Sequence, residues 1–258
     1  MRIFLILLGK ELRSIFLSPV AYVVLGLVMV LNGLAFNASL SVLQSSAASS
    51  TGGSAGSLVT WTFNSTWFYM SYFAIFPLIT MRLFAEESRL GTLETLLTAP
   101  VRTGQLVLSK FTAATVFYMV LWFPSLLNFA VFQWVTAGAA ELPSGALAGA
   151  YTIILVMGFF NIAMGCFASA LTSNQLIAAI TTLTLCVLHF LFGLFLISYK
   201  QLLAATSDAV INYIATAEHL RTFTQGLIDT RAIVYYISFA LLFLVLTHKV
   251  IEYRRWKV

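Results

Sequence analysis

Three carboxylates and four cations fall in one stretch of an otherwise apolar chain: Glu86, Glu87 and Glu94 among Arg82, Arg89, Arg102 and Lys110. Groups of this kind make ion pairs and recognition surfaces. Glu86 and Arg89 stand at i, i+3 and can pair on an inward extension of a preceding helix. Gly91 permits a turn that the helix could not otherwise make. A short helix is predicted from Thr92 to Thr98, ending before Pro100, whose ring disfavours helix at Ala99. Leu93, Leu96 and Leu97 share one face of that helix, a small apolar knob on a charged loop. Two readings follow: the knob inserts into a groove on another protein, or the leucines pack back on the chain's own helix ends.

Sets of residues that would do covalent chemistry are missing. The chain has no G-x-x-x-x-G-K-[ST] phosphate loop, and its predicted spans hold no G-x-S-x-G nucleophile and no H-E-x-x-H metal pair. Cys166 and Cys186 both fall in apolar runs and read as packed small hydrophobes rather than as a disulfide or metal pair. His189 is the one ionisable residue at the depth of an apolar run, and it reads as a neutral hydrogen-bonding side chain rather than a proton relay. No metal site is expected, and no catalytic residue. If such a protein does work, its energy enters from outside the membrane, through a cytoplasmic partner.

The elements that must carry this loop follow from composition. Of 258 residues, 60% are apolar or aromatic and 9% charged, which excludes a soluble domain. Lys and Arg number 14 against 9 Asp and Glu. These charges fall in a few clusters rather than on one solvated face, so the basic excess reports topology and not nucleic-acid binding. No charge occurs between Arg13 and Arg82, from Phe111 to Ala140, or from Leu142 to Tyr199. At about 20 residues per crossing, six spans are predicted at about 19–41, 61–81, 111–135, 146–171, 176–197 and 232–248 in a single domain covering 1–258. The last is the shortest, with 16 uncharged residues from Ala232 to Thr247. With the N-terminus inside, 11 Lys and Arg lie on the cytoplasmic side and only Lys200, Arg221 and Arg231 outside, which places both termini in the cytoplasm.

Apolar residues at 3, 4, 7, 8, 12, 15 and 16, with Arg2, Lys10, Arg13 and Ser14 between them, predict an amphipathic helix over 1–17. It either lies in the membrane interface or extends the first span inward. The run Ile3 to Leu8 is too short for the core of a cleaved signal peptide. Outside, residues 198–231 are too many for a structureless loop. Ser207 or Asp208 can cap a first short helix toward Ala217, Gly226 can stop a second, and Asp229 or Thr230 can cap the last span. Aromatics crowd spans two and three: Trp61 and Trp134 near the ends read as interfacial anchors, while Tyr72, Phe76, Tyr118 and Trp122 either face neighbours or line a route. Gly165 and Ser169 permit close helix packing, between chains or within one.

The pattern E-E-x-x-x-G-T-L-E-x-L-L-x-x-P-V, from Glu86 to Val101, resembles the segment that permease subunits of ABC-2 type transporters carry after their second span. The resemblance implies that residues 82–110 form a coupling loop docking on a separate ATPase through Glu86, Glu87, Gly91, Thr92, Leu93, Glu94, Leu96, Leu97 and Pro100. It implies ATP and Mg on that partner, with no cofactor in this chain, two ATPase copies and a second permease, identical or related. Residues 198–231 are similar to the family's re-entrant half-helices that gate the outer end, with Phe223, Gly226, Asp229 and Arg231 as gate residues; capping of the last span is the other reading of Asp229 and Arg231. The string from Phe223 to Tyr236 looks most like permeases of bacterial gliding motility and of nitrous oxide reductase maturation. The implied function is export across a bacterial inner membrane. The alternative is a membrane anchor that transmits force to an extracytoplasmic companion without transport through it.

Overall fold

The computed structural model describes residues 2–48, 55–98, 101–136, 142–198 and 213–256, leaving aside the side chains of 46–48, 55–57 and Leu97. All regular structure among them is helical: α1 Arg2–Phe16, α2 Pro19–Ala48, α3 Ala55–Phe63, α4 Thr66–Thr80, α5 Ala85–Arg89, α6 Thr92–Thr98, α7 Thr103–Val135, α8 Ser144–Leu171, α9 Gln175–Ser198, α10 Thr216–Thr224 and α11 Thr230–Arg255. Six helical stretches are long and apolar enough to cross a membrane: Pro19–Ser45, Thr66–Arg89, Thr103–Val135, Ser144–Leu171, Gln175–Ser198 and Thr230–Arg255. These are the six that the charge-free runs predict.

Boundaries differ from the sequence reading in several places, beginning with α2, which runs on to Ala48, past the predicted end at about 41. The second span does not start at Trp61. Asn64 donates back to the Thr60 carbonyl at 2.8 Å and the Ser65 hydroxyl accepts from Phe68 N–H at 3.2 Å, so α3 closes and a Ser-capped α4 opens. The third helix starts at Thr103, eight residues before the predicted span, which makes Lys110 part of a helix and not of a loop. The last helix continues past Lys249 to Arg255, and its 26 residues extend about 39 Å, more than the hydrocarbon core requires. α1 is a helix separate from the first span, since Leu17 and Ser18 interrupt the chain before Pro19 opens α2.

The bundle is built around α8. Of its most apolar stretch 83% is buried, against 17% for α9, because Gly149, Ala150, Gly158, Ala163, Gly165 and Ala168 let neighbouring helices approach closely. Against it packs an aromatic core from α3, α4 and α7. Ring centroids of Phe68 and Trp122 lie 5.6 Å apart, Tyr72 and Phe76 4.8 Å, Phe76 and Tyr118 5.5 Å. Inside this core Tyr118 donates to the Ile154 carbonyl at 2.9 Å and Asn161 donates to the Tyr72 hydroxyl at 2.7 Å, while the buried Trp122 Nε1 has no hydrogen-bond partner among the described residues. These mid-span aromatics thus face neighbours of their own chain, while Trp61 and Trp134 are exposed. Cys166 and Cys186 are buried and not bonded to each other.

Candidate functional site

The chain leaves α4 through a tight turn at residues 81–84 and enters α5, a helix of five residues. Its N-terminal N–H groups have no local side-chain cap. The Ser169 hydroxyl of α8 takes that place, accepting from Phe84 N–H and Ala85 N–H, both at 3.1 Å. One helical turn earlier, a Cβ on Gly165 would run into the Thr80 side chain, so only glycine lets α4 approach closely enough for Ser169 to reach. Both small residues therefore serve packing within one chain.

Glu86, Glu87 and Ser88 of α5 each bond to a side chain outside that helix. Glu87 pairs with Lys110 of α7 at 3.0 Å and with Lys10 of α1 at 3.3 Å. Lys110 also pairs with Glu11 of α1 at 3.1 Å, and its ammonium stands 5.5 Å from the centre of the Phe84 ring. Lys110 and Glu11 are almost wholly buried. Two acids and two bases balance in this cluster, which allows burial at a tolerable desolvation cost. Ser88 accepts from Arg254 of α11 at 2.8 Å. Glu86 pairs with Arg82 at 4.0 Å, at i, i+4, instead of the expected Arg89. A helix of five residues is thereby tied to α1, α7, α8 and α11.

Gly91 has φ of 70°, the left-handed conformation that turns the chain between α5 and α6. On α6 the second reading of the leucines holds for those described: Leu93 is buried in the core of the chain and Leu96 is half-buried against it. α6 packs against α11, and Leu93 lines a cavity of about 740 Å³ with Phe167, Leu171, Leu246 and Val250. Thr92, Glu94, Thr95 and Thr98 face outward, as does Leu90 at 62% exposure. The Leu97 side chain and Pro100 lie outside the described residues.

At the opposite end of α8, α10 covers Gly149, whose missing Cβ makes room for the Phe223 carbonyl. Phe223 is buried, and Gly226 turns the chain at φ 84° after α10 ends. Asp229 caps α11, its carboxylate accepting from Arg231 N–H at 2.8 Å, while the Arg231 side chain is exposed. The Tyr236 hydroxyl donates to Thr216 at 3.3 Å and lies 3.1 Å from His219 Nδ1. His189 Nε2 lies 3.0 Å from the Tyr235 hydroxyl, the hydrogen-bonding part expected of it. α10 opens at Thr216, so Ala217 belongs to this helix rather than ending an earlier one. The predicted cap at Ser207 or Asp208 lies outside the described residues.

Sequence reasoning missed Lys10, Glu11, Ser169 and Arg254 as parts of one structure. One signal was available: Lys110 sits on a helix between apolar Val107, Ala113 and Ala114, and a buried lysine demands acids from elsewhere.

The fold and its charged end define a multi-pass α-helical membrane protein in which a short helix is tied by ion pairs and hydrogen bonds to α1, α7, α8 and α11. A family model described as ABC-2 family transporter protein matches residues 18–197, 180 of the 258 residues. The chain belongs to this ABC-2 transporter family. No curated protein matches it.

Proposed function

We propose that the chain is the membrane-spanning permease subunit of an ABC exporter, driven by ATP and Mg on a separate ATPase present in two copies. The observation that carries this is the α5–α6 segment: it is tied to four helices on its inner side and leaves Leu90, Glu94 and Thr95 exposed on the other. A push on that face is passed to α1, α7, α8 and α11 through bonds between oriented groups and not through a slack loop. The excess of Lys and Arg puts this end in the cytoplasm, with α1 at the membrane interface and α10 at the outer end. Phe223, Gly226, Asp229 and Arg231 then belong to the outer gate. Phe63, Phe68, Tyr72, Phe76, Tyr118 and Trp122 fill the chain's own core, so cargo passes between this chain and a second permease rather than through one copy.

The test changes the outward face and spares the inward leucines. Leu90→Asp with Glu94→Arg is expected to abolish co-purification of the ATPase from the native host while the permease stays monodisperse and folded. Unchanged recovery of the ATPase with this double variant would overturn the docking assignment.

A further inference from the structure

A cleft of about 420 Å³ opens between α1, α2, α4, α5 and α7 beside the ion cluster. Its two halves differ in chemistry. One is walled by Val20, Val24, Leu78, Ile79 and Phe117, all from membrane-spanning helices. The other holds Ser14, Ser18, Arg82 and Glu86, with Glu11, Glu87 and Lys110 behind them. α2 begins at Pro19 and α4 ends at Thr80, so the apolar half lies at acyl-chain depth and the charged half where headgroups sit.

The charges of the mouth are not all matched. Lys10 and Lys110 balance Glu11 and Glu87 at 3.0–3.7 Å, which leaves Arg82 and Glu86 to each other at 4.0 Å, the outer limit of an ion pair. Arg82 Nη1 donates to Ser18 at 3.3 Å, but its Nε is buried with no hydrogen-bond partner, a costly state for a guanidinium N–H. An anionic group at Arg82 and a cationic group at Glu86 would replace one loose pair by two close ones. A purely anionic headgroup would meet the Glu86 carboxylate, and a purely cationic one the Arg82 guanidinium.

We propose that this cleft is a binding site for one zwitterionic phospholipid of the phosphatidylethanolamine type. Its phosphate lies on Arg82, its primary ammonium on Glu86, and the upper part of one acyl chain against Val20, Val24, Leu78 and Ile79. The lipid wedges α1 against the α4–α5 turn, next to the residues that tie the short helix to the bundle.

The experiment is native mass spectrometry of the delipidated full-length chain titrated with dioleoyl phosphatidylethanolamine or dioleoyl phosphatidylglycerol, with thermal unfolding measured beside it in each lipid and in inorganic phosphate alone. Wild type is expected to hold one phosphatidylethanolamine about tenfold more tightly than phosphatidylglycerol, the scale of one charge-assisted hydrogen bond. Arg82→Gln should lower that binding about tenfold, Glu86→Gln should remove the discrimination between the two lipids, and Arg89→Gln, off the cleft, should change neither. Ala21→Phe, which fills the apolar half, should block binding with the charges intact. Equal binding of both lipids by wild type, wild-type binding by Arg82→Gln, or full stabilisation by inorganic phosphate alone would each overturn the proposal. The wild-type comparison decides it even where a variant fails to fold.

Discussion

At Ser169, α8 supplies a hydroxyl to two backbone N–H groups of α5 beside an ion cluster in which Glu11 and Lys110 are buried, Glu87 half-buried and Lys10 exposed. At Gly149, about 30 Å away along the same helix, it supplies no side chain at all, and the Phe223 carbonyl of α10 rests where one would be. The first end is joined by oriented ionic bonds between residues up to 99 positions apart. The second is joined by ring packing and neutral hydrogen bonds among Thr216, His219 and Tyr236. Ionic joints between buried groups are strong only when complete, since each lost partner strands a charge. Neutral packing loses contacts a few at a time. One end is thus suited to transmit displacement as a unit, the other to rearrange.

That contrast predicts unequal responses to single changes. The largest is expected from Lys110→Met, which leaves Glu11 and Glu87 only the exposed Lys10 at 3.7 and 3.3 Å and should cost about 3 kcal/mol, read as loss of monodisperse protein on heating. Adding Glu11→Leu and Glu87→Leu should recover most of that loss, because the buried charges then go together. Failure of the triple variant to recover would mean that the cluster does more than balance charge. Next, Ser169→Ala leaves the Phe84 and Ala85 N–H groups unpaired, at about 2 kcal/mol. Hydrogen exchange should speed up across residues 84–89 and stay unchanged across 216–224. Smallest is Tyr236→Phe, at about 1 kcal/mol, with the reverse exchange pattern. Equal exchange responses at both ends to either change would erase the distinction drawn here.

Much of the fold was legible because hydrocarbon tolerates so little. Six crossings followed from runs without charge, and the turn after α10 and the start of α11 followed from Gly226 and Asp229, whose preferences are local. The break at Asn64 and Ser65 could also have been read, since both side chains compete for backbone groups within four residues. The fate of Leu93 and Leu96 could not. Their spacing shows that they share a face, and a shared apolar face is equally suited to a partner's groove and to the chain's own α11.

The sequence by itself determined which segments are apolar and long enough to cross a membrane and where the short helices turn. These are properties of neighbouring residues against a uniform solvent. Only the tertiary structure decided that Glu11, Glu87 and Lys110 form one cluster, that Ser169 caps a helix 84 residues before it, and that Arg82 is left with an unsatisfied N–H beside an apolar cleft. Those pairings join residues far apart in the chain, and no local spacing encodes which distant acid comes to rest beside a given base.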